Sequence, residues 1–165
     1  MRKTLLSFAL TLVAGAALAQ PPASPKVSTS AADVQALMDK AKANIKPGQV
    51  MLSQALLVLD PYRANLEYRV SPQPPTTHLR ECEMIYVVEG AGTFTTGGKL
   101  VNEKQTNADN LAGTAIEGGA PQHIAKGDFL IVPENTPHWF QEIAPGGPLV
   151  LMTLHLPRGG AAAAK

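Results

Sequence analysis

From Val50 onward the chain is written in short apolar or alternating runs, cut every few residues by Gly, Pro or Asn. That punctuation belongs to strands and tight turns, because each run is too short for a stable helix and alternation places side chains on opposite faces. Strands are expected near Gln54 to Leu59, Ala64 to Val70, Met84 to Glu89, Gly92 to Thr96, Lys99 to Asn102, Gln122 to Ala125, Asp128 to Val132, His138 to Ile143 and Leu149 to His155. So many short strands in roughly 100 residues, with no second helical pattern, predict an all-β sandwich or barrel. The polar stretch from Glu103 to Gly119 reads as a long loop over one end of it.

Upstream, Ser30 followed by Asp33 marks a helix start, and Val34, Leu37, Met38, Ala41 and Ile45 recur at helical spacing until Pro47-Gly48 ends the pattern. A short N-terminal helix packed on the β domain is the simplest reading of that stripe. The expected organisation is therefore a leader over 1–19, a disordered spacer over 20–29, the helix within 30–48, the barrel over 50–157 and a mobile tail over 158–165.

The leader rests on three features: the positive start at Arg2 and Lys3, the uncharged run from Leu5 to Leu18, and the small residues of Ala17-Leu18-Ala19. Together they resemble a signal peptide cleaved after Ala19, which predicts a periplasmic or secreted protein with no membrane attachment after cleavage. Without those two bases, 12 Lys and Arg face 13 Asp and Glu. Such a near-neutral chain has no long-range field to concentrate phosphates, so nucleic-acid binding is not expected. Cys82 is the one cysteine of the chain, hence either buried and inert or a free thiol.

Chemistry is concentrated near three of the four histidines. His78 precedes Glu83 by an odd separation, which places the two on opposite faces of one straight strand; a turn or bulge within Leu79 to Cys82 is needed for both to reach one point. Downstream, Gly127-Asp128 opens a strand, and Pro133-Glu134-Asn135-Thr136-Pro137 turns it back into His138-Trp139-Phe140. The two prolines stiffen that corner, and a histidine held on stiff β structure loses little freedom on binding a metal. His123 matches no such pattern and reads as a surface residue, as do Arg63, Glu67 and Arg69 taken singly.

In this register the residues resemble the cupins, jelly-roll barrels of the double-stranded β-helix type in which two motifs bracket a metal site. The first family motif, H-x-H-x3-4-E-x6-G, is met by Thr76-Thr77-His78, four residues, Glu83, six residues and Gly90; the second, G-x5-P-x4-H, by Gly127, Pro133 and His138. The resemblance implies that His78, Glu83 and His138 are metal ligands. It also shows a departure, since Thr76 stands where the first histidine of the family motif belongs. Two histidines and one carboxylate suit Fe(II) with open coordination positions, and Mn, Zn, Ni or Co are also compatible. His155 is a candidate replacement ligand or substrate contact, with Thr76, and Tyr86, Trp139 and Phe140 are candidate wall residues of the cavity.

Cupins carry out oxygenase, isomerase and lyase chemistry as well as plain sugar binding, so the fold does not select a reaction. The leading expectation is a metal-dependent enzyme acting on a small organic molecule. One alternative is a non-catalytic small-molecule or sugar-binding barrel whose metal site is degenerate at Thr76. Another is a metal-free enzyme using Glu83 as base and a histidine as acid. The barrel edges of the family lead to the expectation of a homodimer.

Overall fold

The computed structural model describes residues 25–157. The expected leader, its cleavage point, the first half of the spacer and the tail lie outside the described residues; residues 25–30 have no regular secondary structure.

Among the described residues one helix, α1 (Ala31–Asn44), precedes the β domain. Its start is a capping box: Ser30 Oγ accepts from the Asp33 backbone N–H, and the Asp33 carboxylate accepts from the Ser30 backbone N–H, so two otherwise orphaned donors are satisfied. It stops at Ile45, already extended, because Pro47 disfavours a helical conformation at Lys46.

Among the described residues thirteen strands follow: β1 (Met51–Leu59), β2 (Tyr62–Arg69), β3 (Thr76–His78), β4 (Glu81–Glu89), β5 (Ala91–Thr96), β6 (Lys99–Val101), β7 (Lys104–Asn107), β8 (Asn110–Ala112), β9 (Ala115–Glu117), β10 (Ala120–Ala125), β11 (Phe129–Val132), β12 (His138–Ile143) and β13 (Leu149–Pro157). They form a five-stranded sheet in the order β1-β2-β13-β4-β11, a six-stranded sheet in the order β10-β5-β12-β3-β8-β7 and a small β6-β9 pair. Every pairing is antiparallel. The architecture is a jelly roll with a short N-terminal helix.

The stretch 103–119 is not one long loop. It holds β7, β8 and β9, and β8 joins the six-stranded sheet by pairing with β3. These strands carry no apolar alternation because β7 is exposed on both faces and β8 is half-buried on both. The hydrophobic signal that reveals a strand in sequence needs one face in a core.

Alternation along the five-stranded sheet sorts its residues cleanly. Ile85 and Val87 of β4 and Leu149 and Leu151 of β13 point inward to meet Phe94, Ile124 and Phe140 of the other sheet. Leu66, Tyr68 and Val150 point outward, where α1 covers them with Met38 and Ala41. Burying each such aliphatic side chain contributes roughly 1.5–3 kcal/mol, so the helical stripe acts as the lid of a second core.

Candidate metal centre

The inward series change character towards one end of the barrel. On β13 the sequence Leu149, Leu151, Thr153, His155 passes from apolar to polar, and on β4 the series Val87, Ile85 ends in Glu83. β3 contributes Thr76 and His78, and β12 contributes His138 and Phe140. The polar ends of these series, with Thr76, His78, His138 and Phe140, line a cavity of ≈ 250 Å³, shared with Glu67 and Arg69 of β2.

The odd spacing of His78 and Glu83 is resolved by a change of sheet. β3 ends at His78 in the six-stranded sheet, the chain bends at Leu79-Arg80, and β4 begins at Glu81 in the five-stranded sheet. The two side chains therefore approach from opposite walls. The second motif is docked on the first by the β11–β4 ladder, and its turn by a backbone bond in which Asn135 N–H donates to His78 O at 2.7 Å. Asn135 takes φ 57° to make that turn, a conformation Asn tolerates well.

His138 Nε2 lies 3.2 Å and His78 Nε2 3.6 Å from Glu83 Oε2. Glu83 and His138 are each 3% exposed, so neither can turn to solvent for a partner. The far ring nitrogens are spoken for: His138 Nδ1 is 3.1 Å from the Thr136 carbonyl oxygen, and His78 Nδ1 meets Asn110 Oδ1. The Asn110 amide is itself oriented, because its Nδ2 donates to Asn107 Oδ1. An acceptor at Nδ1 holds the proton there and aims the Nε2 lone pair at the interior. His78, Glu83 and His138 thus offer three ligand atoms within 4.8 Å of one another, a group that could hold a metal ion.

Electrostatics agree with that picture. Burial opposes ionisation of Glu83, but hydrogen bonds from His138 and His78, with the nearby His138 and His155 charges, outweigh it and hold the carboxyl well below the usual carboxylate range. Burial likewise pulls the His78 pKa down, yet its bonds to Glu83 and Asn110 outweigh it and raise the value above 6.5. A cation is wanted among these three side chains, and a proton supplies it when nothing else does.

His155 stands at the same centre. Its Nε2 is 3.7 Å from Glu83 Oε1, its Nδ1 3.1 Å from Glu81 Oε2, and its ring meets that of His78 edge-on at 4.8 Å. Thr76 lines the cavity, but its hydroxyl donates to Leu111 O at 2.8 Å. Trp139 and Phe140 form part of the wall; the Trp139 indole N–H donates to Gln73 O at 2.6 Å.

Tyr86 does not belong to the cavity. Inward positions on β4 are Glu83, Ile85 and Val87, so Tyr86 emerges on the outer face of the sheet, 39% exposed, beside Met84 and Phe129. The surface reading of early-strand charges holds for Arg63, which bonds only its neighbour Asn65. It fails for Glu67 and Arg69, which face the cavity as an ion pair. His123 is exposed on β10, as expected. Cys82 is half-buried, and burial, aided by Glu134 and Glu83, pushes its thiol pKa up, which lowers the reactive thiolate fraction.

Asn110, Glu81 and Gln73 were missed in the sequence. Asn110 lies 32 residues from His78, in a segment without hydrophobic alternation, so no local signal pointed to it.

Comparison with known proteins meets this geometry at the level of family. A family model described as Cupin matches residues 57–155. The chain belongs to the cupins. As a cupin it resembles a Klebsiella pneumoniae protein with a double-stranded β-helix domain at 13% identity, covering 72% of this chain and 88% of that one, TM-score 0.49. It resembles Fe(II) HppE at 14% identity, covering 66% and 52% of the two chains, TM-score 0.49. It also resembles a provisional mannose-6-phosphate isomerase from Ralstonia eutropha at 19% identity, covering 65% and 84%, TM-score 0.48. No curated protein matches the chain. Among the described residues, no helix is long and apolar enough to cross a membrane.

Proposed function

We propose that this cupin is an exported, metal-dependent enzyme acting on a small organic molecule, with His78, Glu83 and His138 as the metal ligands. The observation that carries the reading is the convergence of two Nε2 atoms and a buried carboxylate, each histidine held at Nδ1 by its own acceptor. A buried carboxylate kept ionised beside two imidazoles that face it through Nε2 is a donor set that fits a divalent metal. Fe(II), Mn, Zn, Ni and Co all accept such a set. A metal held there would supply Lewis acidity, and redox chemistry if it were iron or manganese.

The chain's own residues do the rest. Asn110 and Thr136 keep the two rings from rotating, so the ligand atoms are in place before metal or substrate arrives. Phe140, Trp139 and Pro74 provide apolar wall, and Glu67 and Arg69 the polar face of the same cavity. His155, between Glu81 and Glu83, is suited to serve as a fourth ligand or to touch the substrate.

Export rests on the leader-like sequence of residues 1–19, and a homodimer on the edge strands β1 and β11, whose unpaired backbone groups favour a partner. Sedimentation of the purified protein tests the latter.

The second reading, a binding barrel with a degenerate metal site, is favoured by one observation: the Thr76 hydroxyl is turned to Leu111 O. Elemental mass spectrometry on protein recovered from the periplasm, beside His78→Ala and His138→Ala, separates the two. About one metal per chain, lost in both variants, is the expected result. Wild-type protein without metal after reconstitution overturns the metal-dependent reading and favours the binding barrel instead.

A further inference from the structure

We infer that Arg69 is the specificity residue of this cavity and that the substrate class is small organic acids carrying a single negative charge. The inference rests on the metal-centre reading.

Arg69 is held on three sides. Its Nε and one terminal nitrogen donate to the same Glu67 oxygen, Oε2, at 2.9 and 2.6 Å, and the other terminal nitrogen donates to Gln73 Oε1 at 3.2 Å. The guanidinium also lies 4.3 Å over the ring of Phe140. A guanidinium has five N–H groups, so these bonds leave one N–H on each terminal nitrogen. Gln73 is in turn tied into the wall by its carbonyl, which accepts from Trp139. The side chain is thus fixed before any ligand enters, at 11% exposure, on the wall of the cavity that also holds His78, Glu83 and His138. A rigid, preset guanidinium with unspent donors is the group that recognises a planar carboxylate.

Charge selects the valence. With the lining imidazoles neutral, Glu83 and Glu67 outweigh Arg69 by one negative charge, and a divalent metal turns that into one positive charge. A monoanion neutralises the loaded cavity, whereas a dianion adds charge beside the unpaired Oε1 of Glu67. The volume of ≈ 250 Å³ sets the size, since it falls below the roughly 300–1,000 Å³ typical of drug-sized ligands.

Metal-loaded and metal-stripped full-length protein are titrated calorimetrically with acetate, butyrate and benzoate, each beside its amide, and with succinate. The loaded protein should bind at least one monocarboxylate at least about tenfold more tightly than its amide and than succinate. That preference should vanish in the stripped protein and in Arg69→Met. Because Arg69→Met strands Glu67 as a buried charge, the pair Glu67→Gln/Arg69→Met is made as well; it restores neutrality and should fold, load metal and show no carboxylate preference. Loaded protein that binds no monocarboxylate, prefers none over its amide, or keeps its preference without Arg69 overturns the inference and leaves the metal centre standing. Protein that loads no metal, read directly by elemental analysis, overturns both.

Discussion

His138 Nε2 and Glu83 Oε2 stand 3.2 Å apart although they come from different sheets, β12 in the six-stranded one and β4 in the five-stranded one. The contact is therefore a property of the two facing sheets and not of either motif. Neither side chain can leave it cheaply, because both are buried and a lone carboxylate in that position would cost several kcal/mol of desolvation.

Asn110 tests whether ring orientation matters to the centre. Asn110→Ala removes the acceptor at His78 Nδ1 without touching a ligand atom, so metal affinity should fall about 10–100-fold. Competition with a fluorescent chelator reads the affinity, and an unchanged circular dichroism spectrum shows that the half-buried β8 has kept its place.

Proton and metal compete for the same Nε2 lone pair of His78. Its folded pKa is raised above 6.5, so the proton stabilises the metal-free fold fully below 6.5, and that contribution is lost as pH rises through the folded value. Metal affinity must run the other way and weaken as pH falls through the same value. Glu83 acts at the acid end: its depressed pKa contributes stability above about 4.5, lost as pH falls through its folded value. Melting curves of stripped protein from acid to mild alkali, with metal titrations at each pH, read all three trends.

Gly90 connects the first motif to the next strand with φ +87°, and a Cβ there would sit 2.2 Å from the Pro148 carbonyl oxygen. Gly90→Ala meets both the left-handed backbone penalty and a backbone clash, and should cost about 2–5 kcal/mol in urea unfolding.

Ser30 caps a helix that is itself the lid over Leu66 and Val150. Ser30→Ala should cost about 0.5–2 kcal/mol, measured the same way, with metal binding unchanged. A loss of metal in this variant would tie α1 to the centre, which it does not touch.

Much of the molecule was legible in one dimension because the signals were local. The capping box, the helical stripe, nine of the strands and both motif glycines follow from spacing and turn chemistry, and burial on one face wrote a pattern into each element. The bend predicted between His78 and Glu83 is present for the same reason: strand parity forbids a straight path. Strand β3, three residues after Pro74-Pro75, and strands β7 to β9 left no such trace, since they bury little and are defined by their partners.

The site divides along the same line. By itself the sequence singled out the side chains that meet at the candidate centre, His78, Glu83 and His138, through their resemblance to two family motifs whose turns the chain encodes locally. Only the tertiary structure decided what surrounds them. It put Asn110 behind His78, brought His155 from the last strand, sent Tyr86 to the outer face and turned the ordinary-looking charges Glu67 and Arg69 inward. Those placements depend on sheet order and on which face of each strand turns to the opposite sheet, and a polar residue carries no mark of its facing until an opposite wall exists to receive it.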